Sequence, residues 1–286
     1  MLKHSVNTIF LLGTTCLAAT AHAEIAGNIQ VSYQSGDWQN PGQDEDFSAT
    51  NVAGSISYTL ENGLSFILNV DFDEPDYPSG FSNSSQGINQ ESTSLHVLYP
   101  VTDTFKVGGF LGLANTDNGS SSTYDYRGKF VGVEAHALIS DSMGVFGQFG
   151  NYDQRDDEGT DEMGFTNGQF YRLGLYNQHA NGSVSKILLE RGTSTSYEDS
   201  DEPGIIDSVE VSHEIPIKAI NNTVFEFGVR SARFEALNDD DEVREQSFFL
   251  GWKFNFGGST FNQYAAGLVG DPYTIKRADK FVSELD

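Results

Sequence analysis

The chain is poor in cysteine, in long apolar runs and in basic residues. Its one cysteine, Cys16, lies near the N-terminus, so the rest of the chain forms no disulfide and offers no thiolate to a metal. No later segment approaches about 18 consecutive apolar residues, which excludes a predicted spanning helix there. The 16 Lys and Arg residues face 41 Asp and Glu residues, for a net charge of −25. Such a chain lacks the basic clusters with which proteins bind nucleic acid.

Residues 1–23 have the features of a cleaved secretory signal peptide. A basic start at Lys3 precedes an apolar run from about Val6 to Thr20, and Ala21 to Ala23 form an A-x-A-type cleavage site. Cleavage before Glu24 would remove one basic residue, no acidic residue and Cys16. A lipoprotein signal is the alternative, but Gly-Thr-Thr precedes the cysteine in place of a lipid-attachment box.

Apolar and polar residues alternate with a period of two along the remaining chain, in segments of about ten residues bounded by Gly, Asn, Asp and Pro. In one segment Leu64, Phe66 and Leu68 alternate with Ser65, Ile67 and Asn69 on the opposite face. The pattern predicts twelve β-strands. They span Ile25 to Ser35, Asn51 to Leu60, Leu64 to Asp73, Glu91 to Tyr99, Thr104 to Ala114, Lys129 to Ile139, Met143 to Asp153, Gln169 to Gln178, Val184 to Thr193, Asp207 to Ile215, Val224 to Phe234 and Gln246 to Phe256.

The connections between these strands alternate in length. Short turns, such as ENG at Glu61 to Gly63, follow the even-numbered strands, whereas long acidic connections, such as GDWQNPGQDEDF at Gly36 to Phe47, follow the odd-numbered ones. Lipid cannot satisfy backbone polar groups, so spanning strands must close on themselves, with short periplasmic turns and long outer loops. The predicted fold is all-β: a transmembrane up-and-down antiparallel β-barrel of about 12 strands over residues 24–258, with a periplasmic tail over residues 259–286.

A secreted, soluble β-sandwich is the alternative fold, because it also contains many short strands. The regular alternation of short and long connections favours the barrel.

The last predicted strand lies in SFFLGWKFNFGG, from Ser247 to Gly258, and is apolar at every second position. It resembles the C-terminal assembly signal of bacterial outer-membrane β-barrels, with Gly251, an apolar Phe254 and a terminal aromatic Phe256. Phe249 stands where the family has a polar residue, and here the chain continues beyond the aromatic. The resemblance implies a porin-like protein of the bacterial outer membrane, with the barrel assembly machinery and outer-membrane lipid as partners, and identifies no specific member.

Aromatic residues near the predicted strand ends are expected to form two interfacial girdles. The periplasmic set is Tyr58, Tyr99, Phe105, Phe225, Phe254 and Phe256. The outer set is Tyr33, Phe72, Phe234 and Phe248.

Charged residues on the less apolar strand faces are candidates to line a pore. Acids and bases occur there in similar numbers, as in a water-filled channel with a transverse field. Paired with one another, the same charges would instead plug a narrow barrel. The pore-lining candidates are Lys106, Glu134, Arg172, Lys186, Glu190, Glu210, Glu226, Arg230 and Lys253.

Two of the long connections carry acidic clusters without balancing bases, which predicts an anionic vestibule that concentrates cations. The clusters are Asp156, Asp157, Glu158, Asp161 and Glu162, and Asp239, Asp240, Asp241 and Glu242. Their oxygens suit Ca²⁺ and Mg²⁺, which would bridge them to one another or to lipopolysaccharide phosphates. No EF-hand spacing occurs, so no dedicated metal site is predicted.

These patterns predict a passive outer-membrane channel for small hydrophilic solutes that favours cations. A non-conducting barrel, whose acidic loops serve adhesion or envelope stability, is the second candidate. No cofactor and no enzyme activity are expected, because the scattered histidines His96, His136, His179 and His213 lack a Ser-containing signature of a barrel hydrolase. The pattern fixes no oligomeric state.

The tail has two predicted states. It is either disordered, or it caps the pore with Tyr264, Leu268 and a short helix from Ala278 to Leu285.

Overall fold

The computed structural model describes residues 24–40, 43–76, 89–117, 126–156, 167–195, 203–236 and 242–257, together with Tyr264. The described residues form twelve β-strands: β1 (Glu24–Asn40), β2 (Gln43–Thr59), β3 (Ser65–Asp76), β4 (Asn89–Thr102), β5 (Phe105–Asp117), β6 (Tyr126–Ser140), β7 (Met143–Asp156), β8 (Gly168–Gln178), β9 (Val184–Ser194), β10 (Gly204–Pro216), β11 (Thr223–Ala236) and β12 (Glu242–Phe256). Among these residues no helix is long and apolar enough to cross a membrane. Residues 1–23 lie outside the described residues, so the signal peptide stays a prediction.

The strands close into an antiparallel barrel. Each strand pairs with its neighbours in sequence, and β12 pairs with β1, from Gly27 opposite Phe256 to Gln39 opposite Arg244. Closure leaves no strand with a free edge, as a membrane-spanning sheet requires. The predicted fold class and strand count are confirmed. We call the end with the connections after the even-numbered strands the short-turn end and the opposite end the loop end.

Along the strands, side chains alternate between the outside and the interior of the barrel, apart from register shifts at Pro100/Thr102 and Leu138/Ser140. On β12, Phe248, Leu250, Trp252 and Phe254 are 41–60% exposed on the outside, whereas Lys253 is 6% exposed and points inward. Large apolar side chains are exposed in the same way on the other strands. So extensive an apolar surface is unfavourable in water but suits lipid.

The predicted boundaries are wrong at the loop end of β1 and β2. Most of the segment Gly36 to Phe47, predicted as a loop, is strand, because β1 extends to Asn40 and β2 begins at Gln43. Trp38 and Phe47 are buried on the inward face, with ring centroids 6.5 Å apart in an edge-to-face arrangement. Burial of the two rings and continued pairing with β12 outweigh the turn-forming preferences of Gly36 and Asn40.

The last strand ends where the glycine pair predicts. β12 stops at Phe256, and Gly257 has a φ of +75°, a conformation that favours glycine. A Cβ on Gly257 would lie 1.7 Å from the carbonyl oxygen of Ile25 on β1. Only glycine fits at position 257, directly after the last strand.

Inward-facing aromatic rings lie over glycines on the neighbouring strand. A Cβ on any of these glycines would come within 2.6 Å of a ring atom. The ring therefore fills the volume above the missing side chain and lies along the wall instead of pointing at the barrel axis. The pairs are Phe130 over Gly112, Phe110 over Gly132, Phe170 over Gly150, Tyr152 over Gly168, Phe146 over Gly174, Tyr176 over Gly144 and Phe249 over Gly228.

Gly174→Ala is expected to lower the unfolding free energy of the barrel by about 1–3 kcal/mol, because the new Cβ would lie 1.9 Å from the Phe146 ring. Gly147→Ala is the matched control on the adjacent strand, since its Cβ would meet nothing closer than the Arg172 carbonyl oxygen at 3.9 Å. Urea unfolding followed by heat-modifiable gel migration compares the two. Equal losses in the two variants would refute the wall packing described above.

Candidate channel interior

The structure places all nine predicted pore-lining side chains on the inward face. Lys106 lies near the short-turn end, and Glu134 and Glu190 are buried against the wall. The remaining six border a cavity in the middle of the barrel: Arg172, Lys186, Glu210, Glu226, Arg230 and Lys253. Their role in conduction stays a prediction.

The mid-barrel cavity has a volume of about 220 Å³ and two chemically different walls. On β1 to β3 the wall is formed by amides, hydroxyls and two carboxylates, among them Asn28, Ser32 and Asp71. On β8 to β12 the basic and acidic side chains face the cavity. A second cavity of about 220 Å³ opens at the short-turn end, where Glu24 and Lys106 border it.

A buried histidine network stabilises the wall near β4 to β8. His96 Nδ1 lies 2.8 Å from Glu134 Oε1, and His136 Nε2 lies 3.3 Å from the other carboxylate oxygen. Gln148 donates to the same carboxylate over 2.9 Å and accepts from Arg172 over 3.2 Å. The network links strands that are not neighbours, so it fixes their spacing across the interior.

A lysine network occupies the wall near β9 to β12. Lys186 Nζ lies 3.0 Å from Glu214 Oε1 and also contacts Glu226, and Lys253 donates to the same oxygen of Glu214. Tyr264, from beyond β12, donates its hydroxyl to that oxygen as well. One carboxylate oxygen thus receives three donors, which offsets the cost of burying the charges.

A third group lies between these networks and the loop end. Arg230 contacts Glu210, with Nε 3.2 Å from the carboxylate, and donates to Gln34 over 3.3 Å. Gln34 in turn donates to Glu245 over 2.8 Å. The Arg230 guanidinium also lies 5.6 Å from the centre of the Phe249 ring. It therefore contacts a carboxylate, an amide and an aromatic ring.

Sequence reasoning missed several of these partners although signals were present. Glu214 lies four residues after the candidate Glu210, on the same inward face. His136 likewise follows Glu134 by two residues. Tyr264 lies outside any strand; it belongs to the predicted cap of the pore, but its wall partners were not predicted, and the other members of that cap, Leu268 and residues 278–285, lie outside the described residues. The burial of all three is set by contacts across the interior, which alternation along one strand does not reveal.

An apolar cluster fills part of the interior at the loop end. The rings of Phe110 on β5 and Phe170 on β8 lie 5.9 Å apart, although two strands separate them. We call this the loop-end cluster: Trp38, Phe47, Phe110, Phe130, Tyr152, Phe170, Ile206, Ala232, Phe234 and Val243. The predicted place of Phe234 in the outer girdle is wrong, because its side chain is buried inward.

Most of the predicted vestibule lies outside the described residues. This applies to Asp157, Glu158, Asp161, Glu162, Asp239, Asp240 and Asp241, whereas Asp156 ends β7 and only its backbone is described. Glu242 begins β12 at the loop end, where Arg244 donates to it.

The proposed assembly signal lies at the β1–β12 seam. Gly251 faces inward opposite Ser32, Phe254 faces outward, and the Phe256 ring lies over Gly27 of β1.

Comparison with known proteins places the fold but not the family. No family model and no curated protein matches the sequence. An outer membrane channel from Pseudomonas putida F1 superposes with a TM-score of 0.54 at 12% identity, covering 83% of this chain and 97% of that one. The fold is that of an outer-membrane β-barrel.

Other outer-membrane barrels are also among the similar structures. A KdgM porin in complex with disordered oligogalacturonate has a TM-score of 0.45 at 12% identity, covering 79% of this chain and 98% of that chain. The P. putida toluene transporter TodX has a TM-score of 0.47 at 10% identity, covering 84% of this chain and 91% of that chain. At such identities the likeness describes the barrel and carries no information about the solute.

Proposed function

We propose that the protein is an outer-membrane channel through which small hydrophilic solutes, preferentially cations, diffuse passively. The polar cavity in the middle of a closed barrel, about 220 Å³ in volume, is the observation that supports this proposal. Its amide, hydroxyl and carboxylate groups replace part of the hydration of a polar solute. The apolar outer face supports a location in lipid, with lipopolysaccharide as the outer-leaflet neighbour.

The proposed cation preference follows from how the interior charges are paired. Each basic side chain on the cavity wall contacts a carboxylate: Arg172 with Glu190, Lys186 with Glu214 and Glu226, Arg230 with Glu210, and Lys253 with Glu214. Local pairing weakens the positive potential in the cavity. Asp71 and Asp73 add carboxylates on the facing wall. The net charge of −25 acts in the same direction at the mouth of the barrel.

The proposal includes no catalytic activity. Ser94, His96 and Glu134 do form a hydroxyl–imidazole–carboxylate series, with Ser94 Oγ 2.9 Å from His96 Nε2. All three are buried, and neither of the two cavities described above is lined by any of them. The backbone N–H groups around them are used in the strand ladder, so a substrate would find neither access nor oxyanion donors. We therefore interpret the series as part of the wall.

Asp71→Asn is expected to lower the cation-to-anion permeability ratio of the channel, because it removes a carboxylate from the cavity wall. Glu91→Gln is the matched control, since Glu91 is exposed on the outward face of the neighbouring strand β4. Reversal potentials in a KCl gradient across a planar bilayer measure both. A wild-type reversal potential that favours anions would refute the cation preference.

A non-conducting barrel with acidic loops for adhesion or envelope stability is the second candidate. The loop-end cluster favours it, because side chains such as Trp38, Phe170 and Phe234 are fully buried inside the barrel. Absence of single-channel steps for barrels that show heat-modifiable migration would support this candidate over the channel.

A further inference from the structure

Tyr264 lies outside the twelve strands yet inside the barrel. Its side chain is 4% exposed, and it packs in an apolar cluster with Tyr176 and Val184 of the wall. The Tyr176 and Tyr264 ring centroids are 5.2 Å apart. A residue after the last strand therefore occupies a defined place in the interior.

The Tyr264 hydroxyl both donates and accepts a hydrogen bond. It donates to the Glu214 carboxylate and accepts from Lys253 Nζ over 3.2 Å. Burial raises the pKa of the hydroxyl above its ordinary value, so the proton needed for donation stays in place. A carboxylate can only accept and an ammonium can only donate, whereas a hydroxyl does both. The wall groups are thus matched to a hydroxyl.

In addition to its hydroxyl, the aromatic ring of Tyr264 contacts residues of the wall. The ammonium groups of Lys186 and Lys253 each lie 5.5 Å from the ring centre, within the range of a cation–π contact. Tyr176 covers the ring at 5.2 Å. Together these four wall residues accept a hydroxyl-bearing aromatic ring.

The occupied site lies between the two cavities of the interior. Tyr176 borders both the mid-barrel cavity and the cavity at the short-turn end, and Tyr264 borders the first. The two rings, inclined at 35° to each other, lie at the boundary between the two cavities.

We propose that Tyr176, Lys186, Glu214 and Lys253 form a binding site for a phenol ring, and that Tyr264 occupies this site as an internal ligand that closes the barrel between its two cavities. The closure rests on the proposed channel function, whereas the binding site does not. Solutes that carry a hydroxylated aromatic ring are the class that competes with Tyr264.

Tyr264→Phe and Tyr264→Ala in the full-length chain test the closure. The first keeps the ring and removes the hydroxyl, and the second removes both. Loss of a hydrogen bond to a charged group shifts an equilibrium by about tenfold or more. We expect the open probability in planar bilayers to rise from wild type to Tyr264→Phe to Tyr264→Ala. The control Tyr171→Phe removes a hydroxyl from an outward-facing tyrosine and should leave the open probability unchanged.

Limited proteolysis tests the binding site without relying on conduction. Chymotrypsin cleaves after both Tyr and Phe, and mass spectrometry identifies the fragment that ends at residue 264. We expect cleavage there to be about tenfold faster in Tyr264→Phe than in wild type, because the ring leaves its site more often. Equal rates would overturn recognition of the hydroxyl.

A pair of added ligands tests the chemical class. p-Cresol is the side chain of tyrosine and toluene that of phenylalanine. In Tyr264→Ala, p-cresol should block the current with about tenfold higher apparent affinity than toluene. Equal block would overturn the assignment of the site to a hydroxylated ring.

The remaining outcomes separate the closure from the channel function. If wild type and Tyr264→Ala conduct equally, Tyr264 does not close the barrel. If no variant conducts while residue 264 is protected from chymotrypsin in wild type, the channel function and the closure both fail and the binding site stands.

Discussion

Glu214→Ala is expected to lower the unfolding free energy of the barrel by about 3–5 kcal/mol, because it removes the common acceptor of a buried charge network. Glu214 is fully buried, and Lys186, Lys253 and Tyr264 all donate to one of its oxygens. Lys186 would keep Glu226 as a partner. Lys253 would keep only the Tyr264 hydroxyl among the contacts described above, so its ammonium would be buried without a carboxylate.

The same substitution at an exposed ion pair provides the comparison. Glu235 lies 3.4 Å from Arg233 near the loop end, where both side chains are about 40% exposed. Exposed pairs typically contribute less than about 1 kcal/mol, so Glu235→Ala should change the unfolding free energy by no more than that. Urea titrations monitored by heat-modifiable migration measure both variants. Similar losses at the two positions would show that the Glu214 network does not stabilise the barrel.

Gly27→Ala is expected to lower the folding equilibrium constant of the barrel by about tenfold or more, because it obstructs the seam between β1 and β12. Its Cβ would lie 2.3 Å from the Ser55 carbonyl oxygen and 2.4 Å from the Phe256 ring. Displacing the ring would disturb the seam it covers, and the carbonyl belongs to the backbone of β2. Overpacking of this kind costs about 1–3 kcal/mol or more, and about 1.4 kcal/mol corresponds to a factor of ten.

Gly54→Ala is the control for the seam. Gly54 lies on β2 opposite Ile29, and its Cβ would meet nothing closer than a Val70 methyl group at 3.4 Å. Both variants are titrated with urea in detergent micelles, and the folding equilibrium constant is taken from the folded fraction on gels run without heating. An unimpaired Gly27→Ala would show that the packing of Phe256 on Gly27 does not control closure.

The fold follows from the sequence because one rule, alternation with period two, acts on every strand. A side chain such as Lys253 can be assigned to the interior from its neighbours Trp252 and Phe254 alone. Lipid surrounds the whole barrel, so every strand needs an apolar outer face and repeats the same pattern. An error in the assignment of one strand therefore has little effect on the predicted fold. This is why the strand count and the inward placement of the charged residues could be predicted.

Contacts across the interior could not be predicted in the same way. His96 and Glu134 lie on β4 and β6, separated by β5, and they meet because the register places Gly108 of β5 opposite Glu134. Alternation gives the face of each residue but not its height relative to strands that are not neighbours. Tyr264 could be named as part of a pore cap, but no strand pattern extends to it, so its partners Glu214, Lys186 and Lys253 could not be predicted.

The length of the first hairpin was missed for a different reason. Gly, Asn and Pro between Gly36 and Phe47 are typical of a loop, and local preference favours one there. Trp38 and Phe47 nevertheless bury their rings in the loop-end cluster. Long-range burial therefore overrides local turn chemistry, which sequence periodicity over ten residues does not capture.

The closed strand order has a consequence for how the cell handles an unfinished chain. Every pairing except one joins strands adjacent in sequence, and the exception joins the first strand to the last. A chain that stops before Phe256 leaves β1 and its own final strand with exposed edges, which invite aggregation and proteolysis. Each of the twelve described strands therefore has two partners only after β12 has been synthesised.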